Sequence, residues 1–160
     1  MLPLIKDTLI SQYNKTLDIL SHVIKKYYTQ LWDNESDYNF PAWQLAYHAV
    51  YFGNKYCASS EKDIIRWPGQ KEKLHLFIEK TKRGPEKGYS KEEILDFLEF
   101  FRSKIESYLE KFKPEEDCWP HWYDENQLEF HINNIRHIQH HTAEMIERAD
   151  RIKPFSYEWL

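Results

Sequence analysis

His137 and His141 stand four residues apart, and His48 stands far upstream of both. On a helix turning about 100° per residue, a four-residue step returns to within roughly 40° of the same face, one turn along the axis. Both imidazoles can then reach one divalent ion. A third imidazole has to come from another element, and His48 answers to that need. It lies next to Ala49 and one turn from Leu45 and Phe52, on the inward side of its own helical pattern. An inward imidazole needs partners for both ring nitrogens, and a metal ion supplies one of them.

Three neutral imidazoles with a position left open make the ligand set of a catalytic metal site, where water or substrate completes the coordination. Nitrogen ligation suits zinc, nickel, copper or iron(II) and disfavours magnesium and calcium, which prefer oxygen. The ligand type does not choose among the first group; the expectation is one divalent transition metal, zinc or nickel ahead of iron. The di-iron carboxylate alternative needs Glu-x-x-His on two helices, but Asn134 precedes His137 and Ile138 precedes His141 at that spacing. The chain also lacks an H-E-x-x-H helix, a G-x-S-x-G elbow, a Walker loop and a G-x-G-x-x-G turn.

Other residues near these positions are candidates for supporting roles. His131 falls on the apolar stripe of the same helix, Asn134 and Phe130 border the pair, and Glu144 follows it. His121 lies in the aromatic stretch of Cys118, Trp119, Pro120, His121, Trp122 and Tyr123, which should cap the helices near the site. His140 points away toward Arg136 and Glu147, and His22 and His75 lie among lysines on outer faces, so none of these three is expected to act. A rival reading is a non-catalytic binding or dimerisation module, with Trp43, Trp119, Trp122 and Phe130 walling an apolar cavity.

Four amphipathic helices must position these side chains. Apolar residues recur at helical steps over residues 4–28, through Ile5, Leu9, Tyr13, Leu17, Leu20, Ile24 and Tyr27. A polar stretch at 33–37 ends this run, and Pro41 suits the first turn of a second helix over 41–56. Residues 58–89 read as an irregular excursion with one short helix within 71–82. A capping box of Ser90 and Glu93 opens a third long helix, followed from Ile94 to Phe112. The fourth runs over 125–151, and Pro154 closes it.

With no credible strand, helix packing on helix is the remaining way to bury these stripes, so the expected fold is an all-α four-helix bundle. The connections around the second helix leave helix order and handedness open. The 160 residues read as a single domain over 1–160, 41% hydrophobic and 30% charged with four glycines. A net charge of -4 gives no footprint for nucleic acid. No stretch reaches the roughly 20 apolar residues of a membrane span, and no signal peptide is recognisable, so a cytoplasmic location is expected. Cys57 and Cys118 form no C-x-x-C pair and read as free thiols.

Two strings carry a family resemblance: Trp43-Gln44-Leu45-Ala46-Tyr47-His48, and Asn134-Ile135-Arg136-His137-Ile138-Gln139-His140-His141. Together they resemble the DinB-like and YfiT-like superfamily of metal-dependent proteins. The resemblance implies a four-helix bundle whose metal is held by one histidine of the second helix and an H-x-x-x-H pair of the last, here His48, His137 and His141. It further implies a transferase or hydrolase acting on a small molecule. Relatives include S-transferases using low-molecular-weight thiols such as bacillithiol, a mycothiol-dependent maleylpyruvate isomerase, and many homodimers. This chain departs from many relatives after the last histidine, with Thr142-Ala143-Glu144 where Arg-Gly-Gln is common.

Overall fold

The computed structural model describes residues 1–34, 40–71, 74 and 88–157. They form an all-α structure, and no strand occurs among them beyond one isolated bridge between Asp117 and Asn126. Helix α1 spans Leu2–Lys26 and α2 is the single turn Thr29–Trp32. Helix α3 spans Ala42–Cys57, α4 Lys91–Arg102, α5 Ile105–Leu109 and α6 Gln127–Asp150. A 3-10 turn at Glu61–Asp63 follows α3. The short helix expected within 71–82 lies outside the described residues, as does His75. No helix of the described residues is long and apolar enough to cross a membrane.

Local chemistry accounts for where these helices begin and end. Pro3 sits in the first turn of α1, where its missing N–H costs nothing, and Lys25 and Lys26 complement the negative end of the helix dipole. Ser90 and Glu93 form the expected reciprocal capping box at α4. A second box, of Asn126 and Glu129, opens α6: Glu129 N–H donates to Asn126 Oδ1 at 2.9 Å and Asn126 N–H to Glu129 Oε2 at 3.0 Å. The N-x-x-E signal for it was present in the sequence and moves the start of the helix to Gln127 from the expected residue 125.

The third long helix is interrupted where continuity to Phe112 was expected. Ser103 Oγ donates back to the Phe100 carbonyl at 2.7 Å, and Lys104 N–H bonds Phe101, three residues back, at 2.9 Å. Side-chain back-bonding combined with a tightened turn breaks the four-residue ladder, and the chain resumes as α5. The apolar stripe survives the break, because Ile105, Tyr108, Leu109 and Phe112 stay buried.

Side-chain pairs define how the helices sit. Tyr13 meets His131 and Tyr28 meets Lys153, so α1 and α6 run side by side in the same direction. His48 meets His137, and Gly53 meets Asn134, so α3 runs antiparallel to α6. Tyr47 packs on Phe97 and Gly53 on Phe101, so α3 and α4 run parallel, while Arg102 reaches Asp18 and Lys91 reaches Tyr27 in antiparallel sense across α1 and α4. The long helices therefore follow an up-down-down-up course, with α6 and α4 each packed against both α1 and α3. Leu17, Leu20, Leu45, Val50, Phe97, Leu98 and Ile138 fill the space between them.

Candidate metal centre

The centre lies where the middle of α3 faces the second half of α6. These two helices approach closely because position 53 is glycine: a Cβ there would meet Ile138 Cδ1 and Phe101 Cε1, each at 3.0 Å. Asn134 reinforces the approach, donating from Nδ2 to the Gly53 carbonyl at 3.0 Å and to the Tyr13 hydroxyl at 3.0 Å. One buried amide thus ties α6 to α3 and α1 together. That sets the register in which His48 opposes the H-x-x-x-H pair.

The three imidazoles turn the same atom toward one another. His48 Nε2 lies 3.2 Å from His137 Nε2, which lies 3.1 Å from His141 Nε2. All three ligand nitrogens fall within 4.8 Å of one another. A tetrahedral ion with nitrogens at about 2.0–2.1 Å separates neighbouring nitrogens by roughly 3.3–3.4 Å, so small shifts of the rings would admit one. His48 and His137 are half-buried and His141 is buried, which leaves the cluster at the rim of the core.

The protonation of the rings follows from their surroundings. Burial pushes His137 down to about 3, and the adjoining His141, His48 and His140 act in the same direction. Burial also lowers His141, against the opposing pull of the Glu144 carboxylate. These rings are neutral at neutral pH, the form that binds metal. Glu144 Oε2 lies 2.6 Å from His141 Nδ1, which holds a proton on Nδ1 and leaves the Nε2 lone pair facing the cluster. A carboxylate behind a ligating histidine is the usual means of fixing its tautomer and orientation. The fit is poorest at His137, whose shielded Nδ1 has no hydrogen-bond partner among the described residues.

An aromatic wall borders the cluster on the α3 side. The Phe52 ring centroid stands 4.6 Å from that of His48 and 5.9 Å from that of His137, and Tyr51 and Tyr56 flank Phe52. Phe52 was legible in the sequence only as an apolar position one turn from His48. Its place against two imidazoles depends on the partner helix. Phe130, by contrast, touches Tyr56 and Tyr123 and reaches the cluster only through Tyr56.

Several expected supporting residues stand elsewhere. His131 is buried, but its Nδ1 pairs with the Tyr13 hydroxyl at 2.8 Å and its ring packs on Phe112, away from the three imidazoles. Asn134 faces Tyr13 and Gly53 rather than a histidine. His121 is exposed in the loop before α6, in a polar pocket with Asp117, Asp124 and Glu125, and joins no potential ligand group among the described residues. His22 is half-buried, not fully on an outer face, and its Nε2 is shielded without a hydrogen-bond partner among the described residues. His140 is exposed as expected, yet its Nε2 lies 3.8 Å from Glu144.

The four rings proposed to wall a ligand cavity lie on α3, on α6 and in the loop between α5 and α6. Trp43 packs in the core against Tyr89, Phe130 against Tyr56 and Tyr123, Trp119 beneath the Lys55 ammonium, and Trp122 is 72% exposed. Trp122 and Phe130 share Tyr123 as a neighbour. Cys57 and Cys118 are free and buried, and burial holds the Cys57 thiol well above its usual range, where it is a poor nucleophile and ligand.

Compared with known proteins, the chain matches no family model, no curated protein and no solved structure.

Proposed function

We propose that this protein is a DinB-like four-helix bundle that binds one divalent transition metal at His48, His137 and His141 and acts on a small molecule as a metal-dependent transferase or hydrolase. The observation carrying this reading is the convergence of three Nε2 atoms from two helices, 3.1 and 3.2 Å apart along the cluster. The resemblance likewise implies ligands drawn from the second and the last long helices.

Bound there, a zinc or nickel ion would supply Lewis acidity and lower the pKa of a water or thiol, including a low-molecular-weight thiol of the bacillithiol kind. The residues of the chain would do the rest. His48, His137 and His141 would hold the ion with three nitrogens and leave a position open on the half-buried side. Glu144 would keep the His141 proton on Nδ1, and Phe52 would shield one flank from water and offer an apolar surface to a substrate. Pairing of two copies, as in many DinB-like proteins, is part of the same proposal.

Metal analysis of protein purified without an affinity tag tests the reading. About one equivalent of a transition metal is expected, lost on replacement of His137. Less than about a tenth of an equivalent, with no uptake on titration, overturns it.

A further inference from the structure

We infer that α6 carries a second, outer divalent-cation site formed by His140 and Glu144, coupled to the inner cluster through the Glu144 carboxylate. Among the described residues, His140, His141 and Glu144 form the other group whose ligand atoms lie within 4.8 Å of one another. His140 and Glu144 are four apart on a straight stretch of helix, the spacing that stacks two side chains on one face. Their Nε2 and Oε2 atoms are 3.8 Å apart, somewhat beyond the roughly 3.3 Å edge of a zinc polyhedron. Both side chains have room to close that gap, being 68% and 38% exposed.

Glu144 has two oxygens and a divided task. Oε2 accepts from His141 Nδ1, which lies on the opposite side of the imidazole from the inner cluster. That proton keeps His141 Nδ1 from serving as a ligand, so an outer ion would rest on His140 Nε2, a Glu144 oxygen and water. One imidazole with one carboxylate selects zinc, nickel or copper over magnesium. Two divalent ions less than a nanometre apart repel each other, and the Arg148 charge that reaches His141 adds to this. The outer site should accordingly be weaker than the inner one by at least about 10-fold.

The coupling follows from the shared carboxylate. An outer ion draws electron density and position from Glu144, loosens its hold on His141, and so disturbs the inner ligand set when metal is in excess. This coupling rests on the inner metal centre proposed above, whereas the outer site itself does not.

Titration of Zn²⁺ into the tag-free full-length chain by calorimetry, repeated for His140→Ala and His137→Ala, tests both parts. The expected result is a tight and a weak class in the native protein. His140→Ala removes only the weak class, and His137→Ala removes only the tight one. A weak class that survives His140→Ala, or none in the native protein, overturns the outer site. If the native protein lacks the tight class but His140→Ala still abolishes the weak one, the outer site stands and the inner centre fails. For the coupling, the visible bands of Co²⁺ in the tight site should shift as further equivalents are added to the native protein and stay constant in His140→Ala. Constant bands in both overturn it. His140 is exposed, so its replacement should leave the helical circular dichroism unchanged.

Discussion

His131 and His137 lie six residues apart on α6, and both imidazoles are held neutral by burial, yet their surroundings differ in kind. Around His131 the polar groups pair with one another, apart from Asn134 Oδ1, which is buried without a hydrogen-bond partner among the described residues. Asn134 Nδ2 donates to the Tyr13 hydroxyl and to the Gly53 carbonyl, which frees the Tyr13 hydroxyl to donate to His131 Nδ1. Around His137 three ring nitrogens confront one another, and the single carboxylate present secures only the outer side of His141. A neutral imidazole has one proton to give, so three converging nitrogens cannot all be satisfied among themselves. Buried polar groups that bond one another stabilise a fold, whereas ring nitrogens that turn toward one common point are arranged to hold an ion.

The sharpest way to break that contrast is to remove one histidine from each region. His137→Ala should lower transition-metal affinity by more than about 100-fold with little change in thermal unfolding, while His131→Leu should leave metal content intact. Calorimetric titration of both variants reads the difference, and metal loss in His131→Leu would erase the distinction.

Acid acts on both regions, and the share of each can be read by replacing His131. The folded-state pKa of His131 is pushed down to about 4 by burial, from 6.5, so between those values the unfolded chain binds the extra proton. Stability contributed by the neutral ring is fully present above about pH 6.5 and is lost as pH falls toward 4, by at most about 3 kcal/mol. Urea unfolding of metal-free protein at pH 7 and pH 5 should show the decline, and His131→Leu should lessen it, leaving the part that His137 contributes.

Asn134→Leu should cost about 2 kcal/mol, because the Gly53 carbonyl and the Tyr13 hydroxyl each lose a buried donor. Denaturant midpoints with an unchanged m-value would establish that cost, and a change under about 0.5 kcal/mol would deny the network its structural role. The smallest effect is expected at the edge of the metal centre. Glu144→Gln should weaken metal binding by about 10-fold, since the amide still accepts from His141 but no longer carries charge. Equilibrium dialysis against a competing chelator measures it.

Much of this was legible in the linear chain because it depends on local spacing. The apolar stripes of α1, α3, α4 and α6, the Ser90 capping box and the H-x-x-x-H face each follow from periodicity or cap chemistry within a few residues. The break after Arg102 was less legible, since Ser103 is compatible with a helix until its hydroxyl turns back to the Phe100 carbonyl. Glu144 and Asn134 looked alike as neighbours of the pair; their different tasks emerged only from their partners, His141 on the same helix for Glu144 and Tyr13 and Gly53 on other helices for Asn134.

The amino-acid sequence by itself determined that the chain is helical, that His137 and His141 share a face, and that His48 stands on the inward side of another helix. Spacing along a chain specifies a face but not the element opposite it. Only the tertiary structure decided the up-down-down-up course, the antiparallel meeting of α3 with α6, and hence the convergence of three Nε2 atoms. The physical reason is long-range: Gly53 lets two helices approach, and Asn134 bonds across them, at contacts separated by more than 80 residues of chain.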